Sequence, residues 1–204
     1  MSLLSVLLAE AERAPSPSGD APETREKPGR TLVFEQVYDE HVDLVWRALR
    51  RFGVLESALE DATQDVFLVV HRRLAEFEGR SSVSTWLYGI AVGIARNHRR
   101  TRRRRPEHTT EGVEDEMVAR GASPERGAED SEALRALDKI LSELDPDKRE
   151  VFVLAELEEL TAPEIAAALK LNVNTVYTRL RAARAAFEQA LVRFRAKDQG
   201  RFPS

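Results

Sequence analysis

Between Arg96 and Arg105 the chain reads RNHRRTRRRR, seven arginines in ten residues of a protein whose formal net charge is −4. Guanidinium groups at this density neutralise phosphates and fork onto their oxygens. Charge concentrated against the global sign makes a directed electrostatic surface, and nucleic acid is its commonest target. Taken alone, the run also reads as a solvated helix end. A second basic element shifts the balance: residues 161–187, TAPEIAAALKLNVNTVYTRLRAARAAF, have the pattern of a helix-turn-helix. In that motif the second helix enters the major groove and its early residues reach base edges. Asn174, Thr175, Tyr177, Thr178 and Arg181 occupy its first turns, while Arg179, Arg184, Arg193 and Arg195 are placed to meet phosphates. Ile165, Ala166, Leu169, Val176 and Leu180 are spaced to pack the two helices together, and the small Ala166 permits a close approach.

Composition removes most other chemistry. There is no cysteine, hence no disulfide framework, thiolate nucleophile or cysteine zinc site. His41, His71, His98 and His108 show no ligand spacing, so no metal is expected. No Walker-type glycine loop and no convergent His/Asp/Glu set is visible, so neither an enzyme, a cofactor nor a small-molecule substrate is expected. The apolar stretch from Leu3 to Ala9 is too short to span a bilayer and lacks a basic flank. A soluble, cytoplasmic protein follows as the expectation.

The elements that must position these residues read as helices throughout. The 42% hydrophobic content supports packed cores, and the 32% charged and 6% aromatic content suits small helical units. Residues 1–30 read as a disordered extension, with Pro, Ser, Gly and charge from 13 onwards; the leader before that could form a short amphipathic helix. In residues 31–105, Phe34, Val37, Tyr38, Val42, Val45, Trp46 and Leu49 recur at helical steps, and Gly53 ends that helix. A second helix is predicted from about Glu56 to Phe77, then a loop over residues 78–82. A third starts near Ser84 and carries the arginines, where cations also suit the macrodipole. Pro106 stops it. Residues 106–131 read as a flexible acidic linker, either a simple tether or a segment that folds back on the arginines. A second domain, 132–197, follows. Asp145 and Pro146 form a helix start, Thr161 and Glu164 a capping box, and Asn172 the cap of the last helix. The fold class is therefore all-α: two small helical domains joined by a linker.

These segments, in this order, resemble the extracytoplasmic-function sigma factors of bacterial RNA polymerase. EDATQDVF from Glu60 to Phe67 is similar to that family's EDxxQE-V-F segment, and STWLY from Ser84 to Tyr88 to its TWLY. Residues 141–187 are similar to the family's fourth region nearly end to end. The resemblance implies that Asp61, Gln64 and Asp65, with Phe67 and Leu68, dock on the clamp helices of the largest polymerase subunit. It implies that the loop Gly79, Arg80, Ser81, Ser82 receives a base flipped from the −10 element of promoter DNA. The following helix would hold the non-template strand through Thr85, Trp86, Tyr88, Arg96, Asn97, Arg99, Arg100, Arg102 and Arg103, with core packing the stronger reading for Trp86 itself. Asn174, Thr175, Tyr177, Thr178, Arg179, Arg181 and Arg184 would meet the −35 element. An anti-sigma factor is the implied regulator.

Four positions depart from the family's habit. Gly89 and Gly93 stand where Arg and Asn are common, and each glycine costs a helix about 1 kcal/mol relative to alanine. Tyr177 replaces a usual basic residue, and Lys170 replaces a common turn glycine. Two other functions fit parts of the chain. A dimeric duplex-binding regulator needs the helix-turn-helix but neither the Asp61/Gln64/Asp65 face nor a strand-binding domain. A nuclease needs a constellation of catalytic side chains that the sequence does not show.

Overall fold

The computed structural model describes residues 32–104 and 124–199, with side chains for 32–104 and 133–197. The extension expected over 1–30, Arg105, and most of the expected linker lie outside the described residues.

The first domain is three helices. α1 (Phe34–Arg51) buries Val37, Val45, Ala48 and Leu49, the face its periodicity predicts. It ends at Gly53, whose φ of +92° is open to glycine and strained for other residues. A 3₁₀ turn at Glu56–Ala58 leads into α2 (Leu59–Arg73), which turns Leu59, Ala62, Val66, Phe67 and Val70 inward. α3 (Val83–Arg104) is capped by Ser82, whose hydroxyl accepts from the Thr85 amide at 3.1 Å. Each of the three packs on the other two.

The second domain begins earlier than its sequence suggests. Its first helix, α4, spans Pro124–Ser142, with proline at the start, so that part of the acidic stretch assigned to the linker lies at a helix N-terminus. α5 (Pro146–Phe152) is capped by Asp145, whose side chain accepts from the Asp147 amide at 3.1 Å. The helix then widens into one π turn, Val153–Leu157. α6 (Ala162–Leu169) starts at the predicted box, where the Glu164 carboxylate accepts from the Thr161 amide at 2.8 Å. Lys170 closes α6 in the left-handed region at φ +56°, the conformation that a glycine adopts without strain. α7 (Val173–Gln199) begins where Asn172 Oδ1 accepts from the Asn174 amide at 2.8 Å. Phe152 and Phe187 stack at 4.4 Å between ring centres and fasten α5 to α7.

The two domains are not separate bodies on a string. α3 packs against α6 and α1 against α4, and one cluster of buried side chains runs through both domains. That pairing sets the surroundings of half the candidate site.

Candidate nucleic-acid interface

The helix-turn-helix presents one exposed face, the one its sequence pattern assigns to base reading. Asn174, Tyr177, Thr178 and Arg181 follow one another at helical steps on α7 and are all exposed, Tyr177 to 59%. Val176, Leu180 and Ala183 on the opposite side are buried against the domain core. The cap at Asn172 fixes where this face begins. Thr175 is half-buried. Arg179 pairs with Asp147 at 3.0 Å and Arg184 with Glu156 at 2.7 Å, so both border the reading face rather than belong to it.

On α2, Asp61, Gln64 and Leu68 form an exposed stripe, with Leu68 46% exposed. Asp65 is half-buried, its carboxylate 3.2 Å from His98 Nε2 on α3. Phe67 is a correction: it is 3% exposed, inside the core stripe of α2, and supports the surface from beneath. Tyr38, 41% exposed, lies over it at 4.7 Å and widens the outer apolar patch. Tyr38 carries no motif; its sequence signal is only an aromatic at the edge of the apolar face of α1.

The loop before α3 is open. Gly79 has φ +67° with nothing near its missing Cβ, Arg80 pairs with Glu78, and Ser82 is exposed while Ser81 is half-buried. Two of the residues assigned to the strand face inward instead. Thr85 is 2% exposed, its hydroxyl 2.8 Å from that of Ser82. Tyr88 is 4% exposed and its phenol donates to Glu158 of the second domain. Burial and the neighbouring carboxylate push the Tyr88 pKa well up, so the phenol keeps its proton. Both are corrected to core positions. Trp86 is half-buried against Phe77, 5.1 Å between ring centres.

The arginine run divides in two. Arg102, Arg103 and Arg104 are exposed on the last turn of α3, and Arg100 donates to Asn97 Oδ1 at 3.1 Å, also at the surface. Arg96 and Arg99 instead converge on Glu150 of α5, a carboxylate with no solvent exposure. Arg96 Nη2 reaches one oxygen at 2.6 Å, and Arg99 Nη2 reaches the other at 2.6 Å. Hydrogen bonding to this carboxylate raises the Arg96 pKa. A buried carboxylate is tolerated only where paired and hydrogen-bonded, and here two guanidinium groups do both.

The rest of the seam follows the same chemistry. Arg50 meets Asp138 at 2.7 Å, and Arg51 meets Glu158 at 2.6 Å. Arg149 donates to the carbonyls of Arg50 and Arg51, capping the C-terminal end of α1 with a cation from the other domain. Burial lowers its pKa to about 10, still well above neutrality. None of Glu150, Glu158, Asp138 and Arg149 is a site residue in the sequence reading. Their partners lie far along the chain, and Glu150 sits 54 residues from Arg96.

The arrangement is a helix-turn-helix with an exposed face in one domain and a basic helix in another. Residues 37–105 match the family Sigma-70 region 2, and residues 134–187 match Sigma-70, region 4. The RNA polymerase sigma-H factor of Pseudomonas aeruginosa is 34% identical over 139 residues, covering 65% of this chain and 72% of that protein. The ECF RNA polymerase sigma-E factor of Escherichia coli is 33% identical over 143 residues, covering 65% and 75%. Among solved structures, CnrH in complex with the cytosolic domain of CnrY is similar at 26% identity and a TM-score of 0.58, covering 93% of this chain and 97% of that one. The sigma factor RpoE of Bartonella quintana, solved with the anti-sigma factor NepR, shares the fold at a TM-score of 0.60 and 20% identity, over 78% and 96%. The chain belongs to the extracytoplasmic-function sigma factors, which give bacterial RNA polymerase its promoter specificity.

Proposed function

We propose that this chain directs RNA polymerase to a set of promoters by gripping DNA at two places and core enzyme at a third. The observation that carries the reading is the exposed Asp61/Gln64/Leu68 stripe on α2, beside the independent reading face on α7. A plain duplex-binding regulator has use for the second and none for the first. Asp61, Gln64, Asp65 and Leu68 dock on the clamp helices of the largest polymerase subunit. The reading face Asn174, Tyr177, Thr178 and Arg181 meets the −35 duplex, with Arg179 and Arg184 on flanking phosphates.

The loop Gly79–Ser82 takes a flipped −10 base, which needs an open pocket and hydrogen-bonding groups. Trp86, Arg96, Asn97, Arg99, Arg100, Arg102 and Arg103 hold the strand that results, largely by its phosphates. The chain has no chemistry of its own and no cofactor; strand opening draws on binding energy. It acts in the cytoplasm, where polymerase is, and among the described residues no helix is long and apolar enough to cross a membrane. An anti-sigma factor holds it inactive, as the two solved relatives in such complexes suggest. Run-off transcription with core polymerase on genomic fragments tests the reading: discrete start sites that vanish without the chain are expected. Binding to duplex DNA without co-elution with core polymerase would point to the ordinary regulator.

A further inference from the structure

Tyr177 is 59% exposed, and among the described residues its ring stacks on no other and its hydroxyl has no hydrogen-bond partner. The basic side chain usual at this position would reach a phosphate or fork onto a guanine, and a phenol does neither. Its place on the helix separates it from a merely exposed aromatic. Residues of an α-helix turn by about 100° each. On that count Asn174, Arg181 and Ala185 run along the middle of the outward side of α7, with Tyr177 on one flank and Thr178 on the other.

The neighbours narrow what Tyr177 can do. Thr178 donates its hydroxyl to the Asn174 carbonyl at 2.9 Å, so its proton is spent within the helix. Arg181 has no ion pair among the described residues, unlike Arg179 and Arg184 on the borders. Asn174 and Arg181 are therefore the free polar groups of this face, and Tyr177 is its one large apolar group. Ala182 and Ala185, next along the outward side, are exposed and small, so the helix can lie close to what it meets. No acid occurs from Val173 to Phe187, which suits a polyanion better than a protein surface.

We propose that Tyr177 sets part of the base preference of α7, its ring covering the methyl group of a thymine in the −35 element. The inference rests on the −35 reading of α7. In the major groove the C5-methyl of thymine is the apolar group that a base pair presents, and apolar side chains distinguish it from cytosine and the purines. A tyrosine in place of a basic residue thus exchanges a guanine or phosphate contact for a thymine contact. This chain would prefer a −35 sequence different from that of relatives with the basic residue.

The test selects duplexes from a library randomised over about twenty base pairs, two helical turns, using the full chain with core polymerase. The selected sequence should hold a thymine whose replacement by deoxyuridine, which lacks only the methyl, weakens binding about fourfold, the worth of one buried methyl group. Tyr177→Phe should keep that response, Tyr177→Ser should lose it, and Tyr177→Arg should select guanine at the same pair. Circular dichroism should not change, because the side chain is exposed. A response that survives Tyr177→Ser would overturn the inference, as would one lost in Tyr177→Phe, which would assign the contact to the hydroxyl. If Arg181→Ala alters the selected sequence but no thymine responds to loss of its methyl, the −35 reading stands and the inference fails. If neither Arg181→Ala nor Tyr177→Arg alters the selected sequence, or no duplex is enriched, the −35 reading of α7 fails with it.

Discussion

Replacing Arg102, Arg103 and Arg104 with alanine separates electrostatic positioning from everything else α3 does. These three are exposed, and no ion pair joins them to a described residue, whereas Arg96 and Arg99 are tied to Glu150 and Arg100 bonds Asn97. In the free chain they are the part of the run most available to phosphate. Each phosphate neutralised on a single strand contributes about 0.7 to the slope of log affinity against log salt, so three lost contacts lower the slope by about 2. A fourfold rise in salt should then weaken the wild type about twentyfold more than the triple variant. The assay is fluorescence anisotropy of a labelled single strand, from about 50 to 200 mM salt, the range over which such slopes are read. Circular dichroism guards against loss of helix, because cations in the last turn also favour the macrodipole by about 0.3–1 kcal/mol each. An unchanged slope with unchanged helicity would refute the reasoning. So would a change in sequence preference at constant slope, since these side chains are assigned to phosphates alone.

Three further outcomes are expected. Asp61→Lys with Gln64→Lys should weaken co-elution with core polymerase by about 2–5 kcal/mol while leaving the circular dichroism unchanged, since the stripe is exposed and supports no core contact; undiminished binding would remove the α2 face from the interface. Arg181→Ala should narrow discrimination among −35 variants by about 1–3 kcal/mol at the position it reads, measured by competition gel shift. Lys170→Gly should raise the melting temperature by about 2–4 °C, because relieving a left-handed residue is worth about 1 kcal/mol in a chain of this size; a fall would mean that the Lys170 side chain matters more than its backbone.

Much of the local structure was legible. Asp145 with Pro146, Thr161 with Glu164, and Asn172 each start a helix where their side chains can satisfy orphan amides, and the structure shows those hydrogen bonds. The exposed face of α7 follows from the same logic: once the cap at Asn172 is set, a period of 3.6 residues decides that Val176 and Leu180 go in while Tyr177, Thr178 and Arg181 stay out. At Phe67, Thr85 and Tyr88 motif and burial point in different directions. Each belongs to a functional segment, yet each occupies a step of the apolar stripe, and packing takes precedence over polarity when a hydroxyl finds a hydrogen-bond partner, as Thr85 does in Ser82 and Tyr88 in Glu158.

The helices, their ends, the exposed face of α7 and the concentration of positive charge follow from the order of residues alone, because they depend on neighbours within about one or two turns. The pairing of the domains was decided only in three dimensions. Glu150 reads as an ordinary acid in an apolar helix until Arg96 and Arg99 close on it, and Arg149 as a surface cation until it caps α1. Gly89 looks like a defect in α3 until the Ala168 carbonyl occupies the space it leaves. Contacts across more than fifty residues leave no period and no spacing in the chain; they arise where two folded surfaces fit, and only the fit shows which charges are free to meet DNA.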